Sequence, residues 1–134
     1  MRRHHLSGGN TFEFLRWLRA FGLLDALRAY AHDAVLVGVS AGAILMTPDI
    51  GSAALCGDER GAEQLDDAGL GLVDFCVRPH FDGSAEATEG WLRYSSSVSG
   101  LVYGVPDGSG VIVNGGVVEL VGAVSVAQRG ARVT

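Results

Sequence analysis

The sequence predicts an α/β fold with a parallel sheet and a C-terminal antiparallel extension. Two patterns carry this expectation. In the first half, segments with helically spaced apolar residues alternate with short apolar runs rich in β-branched residues, as a parallel sheet with crossover helices requires. In the second half, short strand-like runs are separated by Pro106-Asp107-Gly108 and Asn114-Gly115-Gly116, both turn signals and the second a hairpin signal. Composition agrees. The chain has 134 residues, is 48% hydrophobic and has a mean hydropathy of +0.27. This suits one domain, residues 1–134, with a modest core.

The elements follow in order. Asn10 and Thr11 precede "FEFLRWLRAFGLLDALRAYAHD", where Phe14, Leu15, Leu18 and Phe21 recur at helical spacing. Asn10 or Thr11 is the expected N-cap, and Gly22 divides the segment into two helices. The upstream "MRRHHLS" has no apolar pattern and reads as a frayed end; it is not a secretory signal, because no apolar stretch follows its basic residues. "AVLVGV", 34–39, suits a strand buried on both faces of a parallel sheet. "AGAILMT" starts a helix that Pro48 stops. Residues 49–70 carry Gly, Asp and Glu without periodicity and read as a loop passing over the site. "GLVDFCVRPHF" is a strand ending near Pro79 and His80. "SAEATEGWLRYSSSV" is a helix capped by Ser84, and the segment from Gly100 to Gly130 is a series of short strands.

Charge and cysteine usage narrow the function classes. The net charge is −5, the isoelectric point is about 5.2, and all ten cationic residues are Arg. With no basic stripe, neither nucleic acid nor an anionic membrane surface is an expected partner, and no apolar stretch has the length of a membrane span. Cys56 and Cys76 are the two cysteines and have no C-x-x-C spacing. A reducing, cytoplasmic location fits them better than a disulfide framework. The histidines share no metal-ligand spacing, and no cofactor is expected.

Catalytic chemistry centres on "VGVSAGAIL", 37–45. Gly38-Val39-Ser40-Ala41-Gly42 fits G-x-S-x-G, the nucleophile elbow. An elbow exposes the serine Oγ at the carboxyl edge of a sheet and places the Ala41 N–H at a helix start, where an oxyanion would form. The same spelling also fits a plain Gly-rich bend. A serine needs a base. His4 and His5 lie in the N-terminal stretch and His32 at a helix end. His80 follows a predicted strand, where α/β sheets place functional side chains. The acid is open on spacing alone. The order Ser, acid, His would require one of Asp49, Asp58, Glu59, Glu63, Asp66, Asp67 or Asp74. Asp107 also follows a strand, although on spacing alone Pro-Asp-Gly reads first as a turn tripeptide.

Three segments, "GGNTFEFLRWLRAFGLLDAL", "GVSAGAILMTPDI" and "RPHFD", together resemble the dipeptidase E-like peptidase family S51. The resemblance implies a three-layer, glutamine-amidotransferase-like α/β fold in which serine replaces the amidotransferase cysteine. It implies a triad in the order Ser40, His80, acid. "GVPDG" matches the family's acid turn with Asp107, where the family usually carries Glu. Gly8-Gly9-Asn10-Thr11 matches the family's glycine loop, so an N–H of Gly9 or Asn10 would complete the oxyanion hole with that of Ala41; "GGNT" rather than the "GGDQ" of the related cyanophycinases favours the dipeptidase branch. The implied activity is serine-type hydrolysis of small peptides, with Asp-X specificity depending on a basic residue after the histidine, for which Arg93 is the candidate. Members begin with strand–helix units ahead of the glycine loop, whereas "MRRHHLS" stands where an apolar strand should feed it. The resemblance therefore implies an N-terminally truncated domain, whose alternative reading is an inactive remnant. An amidotransferase is disfavoured because Ser40 holds the nucleophile position. Homo-oligomer formation is left open.

Overall fold

A computed structural model describes residues 2–62 and 66–133; Glu63, one of the acids considered above, lies outside them. The first half contains β1 (Arg3–Leu6), α1 (Thr11–Ala20), α2 (Leu24–Asp33), β2 (Val35–Gly38) and α3 (Ala41–Leu45). A 3-10 helix, Gly51–Cys56, leads towards β3 (Cys76–Pro79) and α4 (Ala85–Ser95). The chain closes with β4 (Val102–Val105), β5 (Gly110–Asn114), β6 (Val117–Val121), β7 (Ser125–Gln128) and β8 (Ala131–Val133). The architecture is mixed α/β.

Local chemistry explains the helix ends. Asn10 is the N-cap of α1: its Oδ1 accepts the Glu13 N–H at 3.0 Å, satisfying a donor that the helix leaves free. Gly22 separates α1 from α2 with φ of 65°, a left-handed conformation that favours glycine. Ser84 caps α4 by accepting the Ala87 N–H at 3.1 Å.

The strands pair in three groups rather than in the one parallel sheet expected. β1 and β2 pair in parallel, and β3 pairs in parallel with β4. β7 and β8 extend the second sheet antiparallel, giving the order β3-β4-β7-β8. β5 and β6 form a separate hairpin, turned at Gly115-Gly116 as the sequence predicts.

Side chains of β3 and β4 alternate between two cores, as the pleat dictates. Val77 and Tyr103 join Phe12, Leu15 and Leu18 of α1 with Ile44 and Leu45 of α3. Cys76 and Val102 join Trp91 of α4 with Phe81 and Ala127. The fully buried Trp91 satisfies its indole by donating to Val102 O at 3.2 Å. This anchors α4 on the face opposite α1 and α3 and fixes the strands from which the site is built.

Two sequence expectations need correction. "MRRHHLS" is not frayed: Arg3–Leu6 pairs in register with Val35–Gly38, and His4 packs edge-on against Tyr30 with ring centroids 4.5 Å apart. Backbone pairing makes this strand, so side-chain polarity does not reveal it. β2, in turn, is not buried on both faces. Val35 is exposed and Leu36–Gly38 are only partly buried, because this sheet is two strands wide. The 49–70 segment holds the 3-10 helix and an isolated bridge between Asp49 and Ala68, neither of which had a periodic signal.

Candidate active site

Ser40 sits one residue beyond the β2–Val39 run and immediately before α3. Its φ and ψ are 56° and −114°, a strained backbone of the kind that elbows impose, costing about 1–3 kcal/mol. Tight packing explains both flanking glycines. A Cβ on Gly38 would lie 2.7 Å from Ala43 N, and one on Gly42 would lie 1.9 Å from Leu6 O. α3 thus rides directly on β1, with the Ala41 N–H at its first turn. Gly8 lies alongside: a Cβ there would be 4.0 Å from the Ser40 Cβ. This brings the Gly8–Thr11 loop next to the serine.

His80 and Asp107 meet because their strands are parallel neighbours. Pro79 ends β3 opposite Val105 at the end of β4, and Phe81 N donates to Val105 O at 3.2 Å. The residues that follow each strand therefore emerge side by side. Gly104 lies against the Phe81 ring, which a Cβ would approach to 2.8 Å. His80 also has positive φ, 55°.

The three side chains form one hydrogen-bonded series. Ser40 Oγ lies 2.9 Å from His80 Nε2, and His80 Nδ1 lies 2.7 Å from Asp107 Oδ1. An ionised carboxylate only accepts, so Nδ1 carries the proton of a neutral ring and Nε2 accepts from the serine hydroxyl. Asp107, one carbon shorter than Glu, reaches the ring. The series is open to water, with His80 and Asp107 side chains 52% and 82% exposed.

Four of the other acids considered, Asp58, Asp49, Asp66 and Asp67, have partners away from His80. Asp58 accepts from Thr11 N at 2.8 Å and from Thr11 Oγ1 at 2.7 Å. Asp49 accepts the Tyr94 hydroxyl, Asp66 pairs with Arg19, and Asp67 pairs with Arg60. Glu59 accepts from Asn10 Nδ2 through its backbone carbonyl at 3.0 Å. The 58–59 segment therefore clamps the glycine loop across 47 residues or more of sequence, a role no local pattern signals. His4 and His5 lie on β1, and His32 lies in the last turn of α2. Burial raises the thiol pKa of both Cys56 and Cys76, making them poor nucleophiles at neutral pH.

Arg93 lies on an exposed face of α4 and pairs with Glu89 at 2.6 Å. Together with Arg78, Asp82, Ser84 and Glu86 it lines a cleft of about 470 Å³. Ser40, His80 and Asp107 do not line that cleft, but Arg78 and Asp82 flank His80 in sequence. Among the described residues, no group of three or more His, Cys, Asp or Glu side chains is placed to hold a metal ion. Among these residues, too, no helix is long and apolar enough to cross a membrane.

A serine on a strained strand-to-helix turn, hydrogen-bonded in series to an imidazole and a carboxylate, is an arrangement suited to a hydrolase. The chain belongs to peptidase family S51, whose profile matches residues 5–121. It is 36% identical over 80 residues to an uncharacterized peptidase of Listeria innocua, covering 58% of this chain and 38% of that protein. A crystal structure at 1.5 Å of a Listeria monocytogenes protein provisionally named peptidase E superposes with a TM-score of 0.72 and 25% identity. The match covers 87% of this chain and 57% of that one, so the chain spans little more than half the length of that structural relative, and less of the curated one.

Proposed function

We propose that the chain is a serine peptidase acting on small peptides through Ser40, His80 and Asp107, within a glutamine-amidotransferase-like arrangement of its sheet and helices. The observation that carries this reading is the Ser40–His80–Asp107 series at 2.9 and 2.7 Å. His80 Nε2 takes the Ser40 proton as Oγ attacks the peptide carbonyl. The Asp107 carboxylate holds the Nδ1–H and balances the imidazolium that forms. In this reading the N–H groups of Ala41 and of Gly9 or Asn10 receive the oxyanion. His80 then protonates the leaving amine. Water, deprotonated by His80, releases the acyl group from Ser40.

The cleft lined by Arg78, Asp82 and Arg93 is the proposed seat of the remainder of the peptide. Arg93 is already paired with Glu89, so the reading extends to small peptides generally and is not confined to those with N-terminal Asp. The experiment is hydrolysis of a dipeptide panel by the 134-residue chain and by Asp107→Asn. The amide offers Nδ1 either an acceptor or a donor and so loosens the tautomer. We expect kcat to fall roughly 10³-fold with KM little changed, somewhat less than the 10⁴ of a buried triad because this carboxylate is solvated. Undiminished turnover by Asp107→Asn removes Asp107 from the mechanism.

A further inference from the structure

Arg78 is a charged side chain in the middle of buried β3, only 8% exposed. Among the described residues it joins no ion pair, and its buried Nε has no partner. Its guanidinium is held by backbone carbonyls: Nη1 donates to Pro79 O at 2.5 Å and to His80 O at 3.0 Å, and Nη2 donates to Leu55 O at 3.2 Å. Desolvating a guanidinium for three neutral acceptors is unfavourable compared with an apolar side chain of similar volume. Stability is therefore a poor account of this arginine.

Geometry gives a better one. Successive carbonyls along an extended strand point to opposite sides. A single Nη can bridge the carbonyls of Pro79 and His80 only where the chain leaves the extended form. It does so at His80, whose φ is 55°. That departure turns the imidazole from the strand end towards Ser40 on one side and Asp107 on the other. Leu55, at the end of the 3-10 helix, supplies the third acceptor, and Cys56 Sγ approaches Pro79 O at 3.6 Å. The turn is thereby tied to a second element.

We propose that Arg78 is a positioning residue for His80: by bridging the Pro79 and His80 carbonyls it fixes the left-handed turn that aims the imidazole between Ser40 and Asp107. This inference rests on the triad reading above. The test measures the rate at which a fluorophosphonate modifies Ser40, read by intact mass, alongside a thermal melt. Arg78→Met, similar in length and uncharged, is expected to melt cooperatively yet label about 10²-fold more slowly, as a misaligned base would produce. In Arg78→Ala, millimolar guanidinium should restore part of the rate while methylammonium does not, because only the planar fork bridges two carbonyls. A wild-type labelling rate in folded Arg78→Met overturns the proposal, as does slow labelling that guanidinium fails to restore. Should Arg78→Met not melt cooperatively, Arg78→Lys decides: slowed labelling upholds the proposal and the wild-type rate overturns it. Failure of the wild-type chain itself to label at Ser40 overturns the triad reading instead, so the two failures are distinct.

Discussion

Ser40→Ala is expected to abolish peptide hydrolysis, with kcat falling about 10⁶-fold, the loss typical when a triad nucleophile is removed. Without Oγ there is no acyl intermediate, and His80 has no proton to take. The fold should survive, since Ser40 is only partly buried and, among the described residues, its side chain hydrogen-bonds His80 alone. A companion variant separates chemistry from folding. The backbone at Ser40 has φ of 56°, which glycine adopts at little cost. Ser40→Gly should therefore be equally inactive and more stable, by about 1 kcal/mol. An inactive but stabilised variant identifies Ser40 as a residue held under strain for function. Full dipeptide turnover by Ser40→Ala would place the chemistry elsewhere.

The second large effect concerns the seat of the elbow. Gly42→Ala should unseat α3 from β1, because the new methyl would lie 1.9 Å from Leu6 O and 2.8 Å from the Leu6 Cβ. Neither a short helix nor a paired strand can give way by that much without breaking register. We expect a loss of about 3 kcal/mol, at the upper end for an overpacked site, and a fall in Tm of roughly 10 °C. Ser40 should become unreactive as well. Gly110→Ala is the control: nothing lies within 4 Å of a Cβ there and its φ is not positive, so its melt should be near that of the parent. Equal melting of Gly42→Ala and Gly110→Ala would contradict the close α3–β1 approach.

Both predictions depend on features that were legible in the sequence to different degrees. The division at Gly22, the caps at Asn10 and Ser84, and the Gly115-Gly116 turn follow from local chemistry, and local chemistry is written in adjacent residues. The glycines of the elbow were legible as a pattern. Their reason, contact with Leu6 and Ala43, was not. β1 leaves no local sequence signal because Arg3, His4 and His5 become a strand by pairing with β2, whose own residues lie more than 30 positions away. Neighbouring acids could not be separated by spacing, since the partner of His80 is set by the parallel register of β3 and β4 and not by chain distance. The link from Asp58 to Thr11 and the buried fork of Arg78 are long-range or backbone-directed, and neither leaves a periodic trace. The family resemblance supplied Ser40, His80 and Asp107 together; the register of two parallel strands explains why the last two meet.

The most direct measurement is covalent labelling of the folded 134-residue chain with a fluorophosphonate, with the adduct mapped by peptide mass spectrometry. One adduct is expected, on Ser40, formed in the folded chain, lost in denaturant and lost in His80→Ala. A folded chain that takes no label at Ser40, or that labels there equally without His80, would contradict this expectation.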